Sequence, residues 1–188
     1  MSSFIRFGPS KWPPVAFSRG GLEYACRSLV LGGNGCTHFG NTALNFFTLA
    51  WWHGQVDDEA VDPCVTYREH FNRIEDRLPS AFVEFCKTIS LHDSRLRVLR
   101  LDIAKQDLRM ELTGDDGHGG LRQFTLAYLG VAALESNADP NNGLRGPYGY
   151  GDWGYDEADA HEGGLCEHRI LFSSGIELRI WFRDFSIV

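Results

Sequence analysis

Three places in the chain hold residues whose types and spacing suit chemistry. The first is Gly32-Gly33-Asn34-Gly35-Cys36-Thr37-His38. Glycine lets a backbone approach a ligand closely, and a cysteine near a histidine is the raw material of a thiolate nucleophile. Two arguments weigh against that use. Cysteine-histidine catalysis gathers its groups from distant sequence and adds an oxyanion hole. The glycines also lack the following lysine and preceding strand of a phosphate loop. The plain reading is a loop leading into a helix, with Cys36 and His38 kept as the candidate pair of a small hydrolase.

The second place is the segment 135–165. It carries Glu135, Asp139, Asp152, Asp156, Glu157, Asp159 and Glu162 against Arg145 alone, so it holds nearly all of the chain's formal charge of −7. It shows no helix or strand period and reads as a long insertion. Loops of that length are functional or disordered more often than idle. Tyr148, Tyr150, Trp153 and Tyr155 are spaced by glycines within it. Amphipathic rings on flexible backbone have the composition of a contact surface.

Three uses compete for this insertion. It folds over the sheet edge and completes the core, its charge answered by the basic first forty residues. It meets a partner protein with a basic surface, with Trp153 and Tyr155 as anchors and Asp152, Asp156, Glu157 and Asp159 supplying charge. Or those carboxylates hold calcium, although their spacing is not that of the twelve-residue calcium loop. His161 and His168 could converge with the same carboxylates. None of the seven histidines forms a metal-ligand motif, so no metal and no cofactor is expected. Carboxylates paired for glycoside hydrolysis have no support in the spacing.

The third place is Leu91-His92-Asp93, where the apolar period changes from 3.6 to 2. Asp93 suits a turn, and His92 a hydrogen bond across the first strand. The runner-up is a polar site at the sheet's end.

Other elements must position these groups. Residues 1–40 are irregular, rich in glycine and proline and net basic, with a short helix possible over Gly21–Leu31. Asn41 to Gln55 reads as a deeply buried helix capped by Asn41. Asp62-Pro63 is a helix start, and Tyr67, Phe71, Ile74 and Leu78 form one helical stripe. Pro79 ends it, and Ser80 opens a shorter helix whose stripe is Phe82, Phe85, Cys86 and Ile89.

Five strands follow: Leu99 to Ile103, Leu108 to Leu112, Phe124 to Tyr128, His168 to Phe172 and Ile176 to Phe182. Their one-sided alternation predicts an antiparallel sheet with one wet face. Helices first and strands second give an α+β class, with N-terminal helices on one face of a C-terminal, mostly antiparallel sheet of about five strands. The chain reads as a single domain, mainly helical and irregular over 1–90 and β over 91–188.

Leu91-His92-Asp93, the alternating strands and the closing run His168 to Val188 resemble a loose group of uncharacterised small bacterial proteins. These join a helical N-terminal part to a C-terminal β-meander opening with a Leu-His-Asp motif. The resemblance covers roughly residues 90–134 and 166–188. It implies an accessory or immunity-type protein that binds a partner, and it carries over no functional residue.

Composition narrows the classes further. The 188 residues include 43% apolar and 23% charged side chains, near the globular average. The acidic balance disfavours a nucleic-acid binder. No apolar run has the length of a membrane helix, and the first residues have no secretory h-region. Five scattered cysteines form neither a disulfide framework nor a zinc motif, which points to reduced thiols in the cytoplasm. The expectation is therefore a non-enzymatic, protein-binding cytoplasmic protein, with homodimer formation through a sheet edge or an apolar helix face also open.

Overall fold

The structure is a computed structural model that describes residues 44–54, 62–115, 120–138 and 149–188. The candidates Cys36 and His38, the basic first forty residues, the proposed cap Asn41, and Asp139, Arg145 and Tyr148 lie outside them.

Three helices come first. Among the described residues of the stretch read as a helix from Asn41 to Gln55, only Leu49–Trp52 is helical (α1), and its N-cap is Thr48, whose hydroxyl accepts the N–H of Trp51. The second, Pro63–Ile74 (α2), starts where Asp62-Pro63 predicts. The Asp62 carboxylate accepts the N–H of Cys64, and proline sits where no intrahelical donor is needed. A 3₁₀ turn over Glu75–Arg77 leads to Leu78, whose extended backbone suits the residue before a proline. Ser80–Thr88 (α3) follows and buries Phe82 and Phe85.

Among the described residues eight strands follow: β1 Arg95–Asp102, β2 Asp107–Asp115, β3 Leu121–Leu129, β4 Ala133–Ser136, β5 Trp153–Ala160, β6 Cys166–Phe172, β7 Glu177–Phe182 and β8 Asp184–Ile187. They form two antiparallel four-stranded sheets, ordered β1-β2-β3-β8 and β4-β7-β6-β5. The α+β class and the antiparallel pairing stand, but a single sheet of about five strands is replaced by two sheets of four. All five expected strands are present. The three unexpected ones are short (β4 and β8) or acidic (β5).

The chain passes between the sheets at two adjacent places, Gly130–Ala132 and Arg183. Gly130 has φ +62 there, and the Arg183 N–H donates to the Leu129 carbonyl at 2.9 Å. The sheets meet a third time where Arg95 pairs with Asp152 in an isolated antiparallel bridge. Leu108, Met110, Leu112, Leu126 and Tyr128 of the first sheet and Ile170, Phe172, Leu178, Ile180 and Phe182 of the second join one core. Phe82 of α3 enters it, its ring 5.0 Å from those of Phe182, Phe185 and His168. Burial of such rings is the main stabilising term in a domain of this size.

The outward face of the first sheet is wet, as its alternation predicts. The second sheet differs, because every residue of β6 is buried. Part of its far face is covered by a second apolar cluster, in which Leu44 and Phe47 pack on Tyr155 and Leu171.

Candidate functional site

Within the segment read as an acidic insertion, Trp153–Ala160, which carries Asp156, Glu157 and Asp159, is the strand β5 and not a loop. Alternation along β5 sends Tyr155, Glu157 and Asp159 to the far face of the second sheet and Ala158 and Ala160 to the core. Register then places Glu157 opposite Arg169, Asp159 opposite Glu167, and Arg169 opposite Arg179. Only the first is a pair of opposite sign; the two like-charged pairs are offset by neighbours, since Arg169 and Arg179 both reach Glu167 and Arg169 also lies near Asp159.

The contacts are dense. Arg169 donates from Nε to Glu167 Oε1 at 2.7 Å and from Nη2 to Glu167 Oε2 at 3.0 Å, a two-pronged pair. Its Nη1 lies 3.5 Å from Glu157 Oε2, and its Nη2 lies 3.5 Å from Asp159 Oδ2. Arg179 donates its Nε–H to Glu167 Oε1 and stacks over Trp181, 4.3 Å from the ring centroid. His161 Nε2 stands 2.5 Å from Glu167 Oε2. Burial alone would raise the Glu167 carboxyl. The hydrogen bonds from Arg179, Arg169 and His161 outweigh it and hold the group below the ordinary carboxylate value.

Glu157 has a separate task. Its side chain is wholly buried, and it accepts the backbone N–H of Asn45 at 2.9 Å, Phe46 at 2.6 Å and Phe47 at 2.7 Å. Successive N–H groups converging on one anion form a nest. The outer edge of β5 is tied down as well. Ala158 N–H donates to the Tyr67 hydroxyl at 2.8 Å, and Arg77 donates to the Ala160 carbonyl at 3.0 Å.

On the core side lies a polar chain. The Tyr128 hydroxyl is 2.8 Å from His168 Nδ1, His168 Nε2 is 3.0 Å from Asp156 Oδ2, and Trp153 Nε1–H donates to Asp156 Oδ1 at 3.1 Å. An ionised carboxylate only accepts, so the satisfied arrangement has Nε2–H donating to Asp156 and Nδ1 accepting from Tyr128. This chain links β3 of one sheet to β5 and β6 of the other.

These groups have the composition of a catalytic cluster but not its poise. A general acid needs a carboxyl whose proton is held upward, whereas Glu167 is held downward. A nucleophilic thiol needs a lowered value. Burial, helped by the Asp62 charge, pushes Cys64 up to about 11. Burial likewise raises Cys86, helped by Asp156, and raises Cys166 against the opposing pull of Arg77. Tyr67 and Tyr128 are also raised, chiefly by burial.

Among the described residues, Asp159, His161 and Glu167 bring one ligand atom each within 4.8 Å of one another. Both Glu167 oxygens already accept guanidinium protons, so a divalent ion there would sit against two fixed positive charges. That donor set does not fit a metal.

Of the predicted site residues, Trp153 and Tyr155 are 1% and 9% exposed. Neither ring stands in solvent as an anchor must. Trp153 closes the polar chain, while Tyr155 is enclosed by Phe47, Trp51, Trp52 and His92. Asp152 pairs with Arg95 at 3.0 Å. Asp156, Glu157 and Asp159 lie on β5 but on opposite faces. His161 and His168 do converge with carboxylates, also on opposite faces. Among the described residues His92 makes no hydrogen bond across the first strand; its Nδ1 lies 3.1 Å from Asp93 Oδ2 and its ring packs on Tyr155. Asp93 adopts φ +66, which aspartate tolerates, in a turn closed by Ser94 N–H on the Leu91 carbonyl. Arg169, Arg179 and Glu167 were missed. Their only signal was three charges in strands otherwise buried.

A second surface mixes both signs of charge, with Asp102 across from Asp107 and Glu111 across from Val98 on the same face as Arg100 and Arg109. On the outward face of the first sheet, Arg100 stands directly across from Arg109, and Arg97 occupies a bulge in β1. All three are exposed, and none has an ion pair among the described residues. At the β1–β2 turn, Leu101 is 42% and Ile103 81% exposed, and Leu129 lies at the same end of the sheet.

Residues 48–176, roughly two thirds of the chain, match a family described as a protein of unknown function (DUF4085). No curated protein matches the sequence.

Proposed function

We propose that this chain, which belongs to the DUF4085 family, is a non-enzymatic protein-binding module of accessory or immunity type. One contrast supports the reading. Apart from His70 Nε2, which stands 3.6 Å from Asp159 Oδ1 without a hydrogen bond, the buried groups of the acidic cluster and the polar chain are spent on one another, whereas the basic and apolar side chains at the turn end of the first sheet face solvent. Buried, fully paired polar networks specify a structure; exposed apolar side chains beside unpaired charge are what a partner can use. The contact surface is accordingly placed on the first sheet and not on the acidic strand.

Photo-crosslinking tests this. A crosslinking amino acid replaces Ile103 in one full-length variant and exposed Glu84 of α3 in another, each expressed in the source cells. The expected result is one discrete adduct from position 103 and none from position 84. The captured protein is identified and its binding reproduced with purified components. No adduct at 103 overturns the reading. So does substrate turnover that disappears in Cys36→Ser, which would establish the alternative, a small hydrolase using Cys36 and His38.

A further inference from the structure

We infer that the outer edge of β1 accepts an extended acidic segment of a partner protein as an added strand. This rests on the binding reading above and names the partner's chemistry. β1 is the end strand of its sheet. Beyond the bridge at Arg95, no described residue pairs with its outer edge from 96 to 102. An end strand offers a row of backbone donors and acceptors for another chain.

Charge selects the occupant. Arg100 and Arg109 face each other across the strands. Like charges placed directly opposite are destabilising, and a carboxylate on a strand added beyond β1 would lie beside Arg100 and offset that repulsion. Arg97 at the bulge extends the positive tract along the same edge. The molecule already contains a small version of the complex. Asp93 N–H donates to the Trp153 carbonyl, Trp153 N–H donates to the Ser94 carbonyl, and the Asp152 carboxylate takes Arg95 Nε at 3.0 Å. There, an acid-bearing segment lies antiparallel on this edge, with its carboxylate on a β1 arginine. The inferred partner continues that pattern onto Arg97 and Arg100.

A second copy of this chain is a poor occupant. Antiparallel β1–β1 pairing centred between Val98 and Leu99 would set Arg97 of each copy against Arg100 of the other. The charges that keep two copies apart therefore favour a carboxylate-bearing strand.

The probe is a synthetic peptide of about eight residues, the length of an ordinary strand, alternating glutamate with valine or threonine. Its counterpart carries lysine for glutamate. Hydrogen exchange on the full chain should show backbone protection gained at residues 96–102 with the acidic peptide only. Affinity should fall at least about tenfold in Arg100→Glu/Arg109→Glu, and also as salt is raised. Both positions are exposed, so the variant should fold; circular dichroism confirms it. The same variant should gain affinity for the lysine peptide.

Equal binding of both peptides, protection elsewhere, or a β1 edge already protected before peptide is added overturns the inference. So does a dimer in sedimentation that disappears in the double variant. A crosslinked partner at position 103 with no peptide effect on β1 would sink this inference alone. Loss of the crosslink with β1 protection intact would sink the placement of the contact at the turn.

Discussion

Glu157 accepts the backbone N–H of Phe47 at 2.7 Å although 110 residues separate them in sequence. With Asn45 and Phe46 bonded to the same carboxylate, the side chain fixes the path of the segment that delivers Phe47 onto Tyr155. A buried carboxylate with three N–H donors and Arg169 nearby is compensated; an amide in its place is not. It would turn two N–H donors toward N–H donors.

Glu157→Gln should therefore cost about 2–4 kcal/mol of stability, the range for losing charged buried hydrogen bonds. Urea unfolding measures the total. Tryptophan fluorescence should shift before the main transition, because Trp51 and Trp52 sit in the segment released. A variant matching the parent in both readouts would show that packing alone holds residues 44–52.

The polar chain through the core gives a coupled pair. Tyr128→Phe removes one hydroxyl and leaves His168 Nδ1 without a donor in a fully buried place. The expected loss is about 1–3 kcal/mol. Tyr128→Phe/His168→Leu should lose less than the sum of the two single changes, because the second removes a group the first has stranded. Additive losses in a double-mutant cycle would mean the two side chains act independently.

Gly154 marks where a ring rests on the sheet. A Cβ there would lie 2.3 Å from the Trp52 ring and 3.0 Å from the Leu171 carbonyl oxygen. Gly154→Ala should displace Trp52 and cost roughly 1–3 kcal/mol. In a Trp52→Ala background the same change should cost much less, since only the carbonyl contact remains. An equal cost in both backgrounds would assign the effect to the backbone.

The parts legible in the sequence are those whose signal is local. Asp62-Pro63 and Pro79 bound α2 because capping and the missing proline N–H act within a turn. Leu108, Met110 and Leu112 revealed β2 because one side of its sheet is wet. β5 was illegible for the opposite reason. Asp156, Glu157, Ala158 and Asp159 have low strand propensity. What makes them a strand is Arg169, which comes into register only when β5 and β6 pair. The one-sided alternation that locates β7 would put Arg179 in solvent, and nothing local shows that both faces of that sheet are covered. Over the described residues 44–54 of the expected deep helix, only Leu49–Trp52 is helical, and Glu157 takes up the N–H groups of Asn45, Phe46 and Phe47 that a helix would have used.

Thiol reactivity separates the two functional readings. Cys64 titrates near 11, and burial raises Cys86 and Cys166. Each should label with iodoacetamide at pH 7.5 more slowly than a free thiol, because the thiolate is the reactive form. Peptide mapping resolves them from Cys26 and Cys36. Fast labelling confined to Cys36 would turn the argument toward a nucleophile. Uniformly slow labelling fits a protein that uses no thiol.

Acid should act through Glu167. Its carboxyl is held below the ordinary value of 4.5. Near and just below that pH the unfolded chain binds a proton that the folded chain refuses. The group's contribution to stability is therefore present above about pH 4.5 and lost as pH falls through the depressed folded value. The urea midpoint should drop between pH 6 and pH 3.5. In Glu167→Gln the midpoint should start lower, because Arg169 and Arg179 lose their shared acceptor, and should then change less across the same interval. If the variant keeps the parent's full acid dependence, the proton uptake belongs to other carboxylates and Glu167 does not govern the acid limit.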